Sequence, residues 1–449
     1  MIIWKLKPGI DAKIKSGHPW AYGKEISDLS IGNQRIAQAA YGVELQDAKG
    51  QFIARGYGNP KSQIAFRALS FQREVYAPMQ TEFILHRLQA AWLLRRSLGF
   101  TTSCRLCFGE ADGLPGLVVD YYSVQQKGQC GQVFAVQIFT AGMSVALQNS
   151  EKLFEHLVAW AKDQGVSCFE WATTAVVLRN DLRSRRFEGL EVEEPRFIKS
   201  INGFDFQDIE ILFAREPGHG PLLMSCDLYR GQKTGFFLDQ TFNIALTLGT
   251  LQTVLGKKSP LRVLDLCCYV GHWSSQIAAF AAKHKFATEF TLVDVSARAL
   301  EFAKRNVQRH LKKDTGGGEV DNHITVLERD VLTGLGDLLE HGFDLVIADP
   351  PAFAKAEKDL PQGRHAYMQL NSQALRLTAN NGWLVSCSCS SVLTDEHFRL
   401  ALGKAIIRDG RQIRTIARGG HASDHPMLMS FPEGQYLKMY LHQVGVCNP

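Results

Sequence analysis

The sequence predicts an α/β protein: a doubly wound parallel sheet over the C-terminal half, a small β-rich barrel at the start, and an α+β subdomain between them. Three observations predict it. Apolar strand-like runs at residues 262–266, 290–293, 324–327, 345–348 and 384–387 alternate with helical patterns at 273–282, 297–309 and 364–378, and such alternation builds a parallel sheet with helices on both faces. Before residue 70, short apolar stretches at 43–45, 52–54 and 64–66 are broken by Gly, Asn and Pro, as in a small barrel. From 75 to 195 helical and strand-like patterns mix.

The chain has 449 residues, 45% of them hydrophobic, enough for two or three domain cores. No apolar run approaches the ~20 residues that span a bilayer, and MIIWKLKPG lacks the apolar core of a signal peptide, so a cytoplasmic protein that does not enter the membrane is expected. The ten cysteines are irregularly spaced, which favours reduced thiols over a disulfide framework. Cys104 and Cys107 form a lone C-x-x-C without a second pair, so no metal site is expected. The net charge is +5, and the first 70 residues, with ten Lys or Arg against five acids, carry all of it. That placement points to a polyanion-facing module at the N-terminus.

Within that module, HPWAYGKEI (18–26) is the densest aromatic and basic patch, with Trp20 read as a barrel-core residue and Lys13, Lys15 and Lys24 as candidate contacts to RNA phosphates. A helix over 83–98 leaves Arg87, Arg95 and Arg96 for its wet side. Strands at 117–121 and 133–139, a helix over 150–162 and a strand near Phe169 complete the middle subdomain. The charged run 179–189 reads either as a solvated face or as an RNA contact through Arg179, Arg183 and Arg185. Residues 196–235 read as a hairpin or linker, with Gly235 at a tight backbone position above Phe236 and Phe237. A helix follows from about 239 to 255. The glycine run 316–318 reads as a loop. The expected domains are 1–72, 73–195 and 196–449.

The chemistry gathers at the carboxyl ends of the predicted strands. VLDLCCYVG ends the first strand with Asp265 and keeps only Gly271 of a Gly-rich template, with Cys267 and Tyr269 at the other positions. Asp294 ends the second strand, where an acid can accept ribose hydroxyls, and Asp330 follows the third, placed for an adenine amino group. Three acidic tips without a phosphate-binding glycine set suit S-adenosylmethionine better than a dinucleotide, because a sulfonium with an amino group prefers an acidic pocket. Asp349-Pro350-Pro351-Ala352-Phe353 ends the fourth strand, and the two prolines stiffen a loop that aims Asp349 and its carbonyls at a planar substrate. Residues Tyr367, Leu370, Ala374, Leu375 and Leu377 mark the crossover helix that brings the next strand alongside. That strand delivers Cys387 and Cys389. Cys387, inside the apolar run, reads as a small core residue, as do Cys267 and Cys268 in their crowded turn. Cys389 lies beyond the run among serines and reads as a nucleophile: its thiolate can add to C6 of a pyrimidine and make C5 nucleophilic.

Nine segments in order, SGHPWAY, GNPKSQIAFRALS, EADGLPGLVVDYY, QKTGFFLDQ, VLDLCCYVG, VDVSARALEFAKRN, DPPAF, SCS (388–390) and DHPMLMSFPEGQYLK, resemble the bacterial large-subunit ribosomal RNA cytosine-5 methyltransferases with an N-terminal PUA domain. The resemblance spans nearly the whole chain. It implies a PUA β-barrel, a central α/β domain and a Rossmann-like class I methyltransferase domain whose seven-stranded sheet is mixed and mostly parallel. It also implies S-adenosylmethionine as cofactor, held by Asp265, Cys267, Tyr269, Gly271, Asp294, Asp330, Asp349 and Pro350, large-subunit ribosomal RNA as partner, and Cys389 as nucleophile. A homodimer is compatible with it. The chain departs from the family at Thr241, where Arg is usual, and at Val270-Gly271-His272, where a Gly pair is usual. Ala352 stands where other RNA cytosine-5 methyltransferases carry a second Cys, and Asp349 is the candidate acceptor of the C5 proton.

Two other readings are compatible with these residues. One is a methyltransferase acting on a base nitrogen through the DPPAF loop, with Cys389 structural. The other is a non-catalytic RNA-binding or ribosome-assembly factor, suggested by the glycine-poor first loop.

Overall fold

The computed structural model describes residues 1–30, 40–73, 79–165, 169–214, 221–257, 259–311 and 323–445; the glycine run 316–318 lies outside them. The described chain divides into two compact units, the first formed by 1–218, 227–236 and 423–434, the second by 219–226, 237–422 and 435–449.

The first unit begins with the short helix α1 (Asp11–Lys15) and a five-stranded sheet in the order β1 (Ile2–Lys5), β3 (Tyr41–Gln46), β4 (Phe52–Gly58), β5 (Phe66–Ser70), β2 (Trp20–Ala21). Backbone bonds from Lys7 N to Glu25 O and from Ser27 N to Lys5 O, 2.8 Å each, draw the two outer strands together, giving the barrel the sequence predicts. Its core is filled by Trp4, 1% exposed, with Leu6, Ile14, Val43, Leu45 and Phe66. Trp20, expected in that core, is only half-buried: its Nε1 donates to Glu110 at 2.8 Å and its ring meets Phe431 edge-on. Its polar tip needs a partner that an all-apolar core lacks.

The middle sheet runs β10 (Arg196–Lys199), β9 (Thr174–Leu178), β8 (Gln129–Ile138), β7 (Leu117–Gln126), β11 (Ile209–Ala214), with β6 (Cys104–Phe108) also on β7. Helices α2 (Thr81–Ser97), α3 (Ala141–Ala146) and α4 (Ser150–Asp163) accompany it. Thus β10 and β11, in the stretch read as a linker to the third domain, extend the middle sheet through β9 and β7. Phe169 is buried in this core, but the strand starts at Thr174. Gly235 has φ +108°, and a Cβ there would lie 2.5 Å from Asp227 O. Arg95, expected on the wet side of α2, is buried in a bidentate pair with Asp112, at 2.5 and 2.8 Å.

The second unit contains β12 (Pro221–Cys226) and a seven-stranded sheet in the order β15 (His323–Glu328), β14 (Thr288–Asp294), β13 (Leu261–Leu266), β16 (Phe343–Ala348), β17 (Thr378–Ser388), β19 (Lys438–Val444), β18 (Ile413–Gly419). The first five strands are parallel, whereas β19 runs antiparallel to both β17 and β18. Helices α5 (Thr241–Leu255), α6 (His272–His284), α7 (Ala297–His310), α8 (Leu360–Leu377) and α9 (Asp395–Asp409) accompany the strands. Separate apolar clusters, one with residues of α5, α6 and α7 and one with residues of α8 and α9, fill the two sides of the sheet. Strand order reverses between β13 and β16, so the crevice at their carboxyl ends is where a ligand fits this class of sheet.

Candidate active site

The loop after β13 keeps a glycine-type backbone with few glycines. Cys267 and Tyr269 have φ of 63° and 49°, the left-handed region usually left to Gly, and Gly271 has φ 79°. Such residues cost about 1–3 kcal/mol each and persist where the surroundings hold them. Here the holding bonds are Cys268 N to Val293 O (3.0 Å), Tyr269 N to Asp294 Oδ2 (2.9 Å), Gly271 N to Cys268 O (2.8 Å) and Asn306 Nδ2 to Val270 O (2.9 Å). A Cβ at Gly271 would lie 2.9 Å from Ala303 Cα, so this glycine lets α7 pack against the loop.

Four carboxylates converge on that loop. Asp265 is fully buried; Ser274 Oγ donates to its Oδ2 at 2.6 Å, and its Oδ1 has no hydrogen-bond partner. Burial, reinforced by the charges of Asp349 and Asp294, pushes its carboxyl up to about 7. Asp294 accepts from Tyr269 N and, through Oδ1, from Ser296 N at 2.9 Å. Asp330 is exposed and accepts from Leu332 N at 2.8 Å. Burial raises the Cys267 thiol well above its ordinary range, and the charges of Asp294, Asp349, Asp265 and Asp330 push the same way. An acidic cluster with an orphaned buried carboxylate oxygen fits a ligand bearing a sulfonium and an amino group.

Across the switch point, the Asp349 carboxylate accepts from Gln240 Nε2 at 2.8 Å and from Trp273 Nε1 at 3.0 Å. These bonds fix its orientation. Cys389 follows β17, which pairs in parallel with β16, and its half-buried Sγ lies 3.8 Å from Pro350 O. Ser390 Oγ donates to Ala354 O at 2.5 Å, tying the tip of the cysteine strand to the end of the proline loop. Cys387 is fully buried and burial raises its thiol well above the ordinary range. The expected pairing of a proline loop with one accessible thiol is therefore realised on adjacent strands.

The RNA-contact candidates separate. Arg179 is buried, donating to Leu228 O at 3.1 Å and to Asp181, and Arg185 is buried, donating to Glu191 O and Glu193 at 2.8 Å and to Ile138 O. Both guanidinium groups are consumed inside the first unit, which replaces their reading as RNA contacts. Lys15 is paired with Asp11 and Asp47, and Lys13 lies 4.0 Å from Glu433. Lys24 and Arg183 are exposed.

Comparison with known proteins agrees with both units. Residues 5–71 match the model of a PUA-like domain, and residues 234–390 match the methyltransferase small domain. A protein of Shewanella denitrificans named ribosomal RNA large subunit methyltransferase I is 30% identical over 439 residues, 97% of each chain. One of that name from Photobacterium profundum is also 30% identical, over 96% of this chain and 97% of its own. The chain belongs to the ribosomal RNA large subunit methyltransferase I family. Among solved structures, SMU.776, described as a methyltransferase complexed with SAH, aligns with TM-score 0.69 at 18% identity, over 99% of this chain and all of its own. The fold is that of a class I S-adenosylmethionine-dependent methyltransferase with an N-terminal PUA-like domain.

The departures of this family member resolve as local structure. Thr241 Oγ1 donates to Leu238 O at 2.7 Å at the start of α5. His272 is buried, 2.9 Å from Gln276 Nε2, and burial pulls its imidazole down to about 3, so it stays neutral. The sequence reading missed Gln240 and Trp273, the two donors that orient Asp349, and Lys438 beside the cysteine tip. Gln240 sits within the QKTGFFLDQ resemblance, but nothing in its spacing announces a partner 109 residues away.

Proposed function

We propose that this chain uses S-adenosylmethionine to methylate C5 of a cytosine in large-subunit ribosomal RNA, through a covalent bond between Cys389 and C6 of the base. Family membership supports the RNA substrate. The observation that carries the chemistry is the half-buried Cys389 thiol beside the Pro350 carbonyl at adjoining strand tips.

When bound, S-adenosylmethionine supplies an electrophilic methyl group; Asp265, Asp294 and Asp330 with the backbone of Cys267, Tyr269 and Gly271 are the residues that would hold it. Asp349 and the Pro350 carbonyl orient the base. The Cys389 thiolate adds to C6, and the electrons of the C5–C6 double bond make C5 the nucleophile for the methyl group. Removal of the C5 proton, for which Asp349 is the candidate acceptor, restores the double bond and expels the thiolate. Cys267 does not compete as nucleophile, because burial and four surrounding carboxylates disfavour its anion.

The test compares ribosomal RNA nucleosides by mass spectrometry from cells with the gene, without it, and with Cys389→Ala. Loss of one 5-methylcytidine site in the latter two is expected. An unchanged 5-methylcytidine profile without the gene would refute the function. A 5-methylcytidine profile restored by Cys389→Ala would exclude Cys389 as the nucleophile, and a gene-dependent N-methylated nucleoside in place of 5-methylcytidine would return the reading to a base nitrogen as acceptor.

A further inference from the structure

We propose that Lys438 is a positioning residue for Cys389: its buried ammonium supplies the counter-charge that keeps the sulfur ionised. The inference rests on Cys389 being the nucleophile. Lys438 opens β19 and stands opposite Ser388 in the β17–β19 register, and its Nζ donates to Ser390 O at 2.6 Å and to Tyr436 O at 3.0 Å. The ammonium is thus held against the residues on either side of Cys389. An ammonium has three N–H donors, and the two carbonyls take two of them.

Lys438 is only 6% exposed, and a buried charge is costly unless an opposite charge compensates it. Among the described residues it makes no ion pair. Asp395, the one carboxylate whose charge favours its ammonium, is engaged elsewhere, with Oδ1 accepting from Tyr440 OH at 2.5 Å and Oδ2 from Arg418 Nη2 at 2.8 Å. The other group that favours the charged lysine is Cys389 itself, while burial draws the amine down to about 8, leaving it mostly protonated at neutral pH. From neighbouring elements, Tyr367 on α8 and Cys387 on β17 also feel the Cys389 charge, and Asp349 acts on both of them. None of these three brings positive charge. Lys438 is the cation that β19 brings to the residues flanking the sulfur.

The test follows iodoacetamide alkylation of Cys389 in the full chain from pH 6 to 9, read at the peptide level by mass spectrometry, for wild type, Lys438→Gln and Lys438→Arg. The exposed Cys130 serves as internal control. Gln can donate to both carbonyls without the charge, whereas Arg keeps the charge. Lys438→Gln is expected to move the midpoint of the Cys389 alkylation profile up by about one pH unit, which slows alkylation about tenfold at pH values below the wild-type midpoint. Lys438→Arg is expected to keep the wild-type midpoint, and Cys130 to be unchanged in all three. A folded Gln variant whose Cys389 alkylation profile coincides with wild type would overturn the proposal, and if that variant does not fold, a shifted midpoint in folded Lys438→Arg would do so. Methylation retained by Cys389→Ala rejects the nucleophile but leaves these profiles readable, so the two failures are distinguishable.

Discussion

Asp265 illustrates how far single residues carry function. Its place at a strand tip is legible in the sequence; its titration is set by three-dimensional neighbours, burial first and then Asp349 and Asp294. The folded carboxyl holds its proton up to about pH 7, while in the unfolded chain it ionises near 4. The folded state therefore binds more protons between these values, and this group makes stability fall as pH rises through that window. Asp265→Asn should gain on wild type from pH 5 to 8, on the order of 3 kcal/mol by linkage, as measured by chemical denaturation. Parallel stability curves would contradict this. The same logic makes a cationic ligand bind more tightly as pH rises through 7. Cys267 and Tyr269 teach the complementary lesson: a motif search sees missing glycines, yet neighbouring hydrogen bonds hold both residues in the glycine conformation.

At the scale of elements, one carboxylate ties the barrel to the middle subdomain. Glu188 is buried and accepts from Ser62 Oγ (2.5 Å), Arg67 Nη1 (2.9 Å), Asn59 Nδ2 (3.3 Å) and Ala141 N (3.4 Å). Glu188→Ala would leave the Arg67 charge buried without its partner, a loss of about 3–5 kcal/mol. A thermal melt monitored by Trp fluorescence should show the drop, and an unchanged melting temperature would deny the tie. Such a role was hidden in the sequence, where Glu188 belongs to a charged run that looks solvated. The exposed faces of helices misled in the same way: α2 buries Arg95 and exposes Leu93 and Leu94, because an Arg–Asp pair and the domain's own loops decide its phase against the apolar pattern.

For the whole molecule, β/α alternation made the parallel strands legible, since each carries its own apolar run and all but β15 are followed by an α-helix. The last strands did not announce themselves. Between β18 and β19 the chain returns through residues 420–437 without an α-helix, and no residue of β18 is buried, so neither alternation nor burial marks it. That is where Lys438 lies. The basic N-terminal surplus was legible as charge, but two of its three candidate contacts, Lys13 and Lys15, stand beside carboxylates. If the exposed Lys24 and Arg183 contact phosphates, replacing both with Ala should reduce the slope of log affinity for ribosomal RNA against log salt by about two. An unchanged slope would remove the first unit's candidates.

The chemistry itself is tested most directly with RNA carrying 5-fluorocytidine at the target position, where fluorine at C5 prevents the proton loss that releases the thiolate. Incubation with S-adenosylmethionine should trap a protein–RNA adduct on the peptide containing Cys389, and Cys389→Ala should yield none. Release of methylated product from the unfluorinated RNA without any trapped adduct, or an adduct on Cys267 instead, would contradict the account.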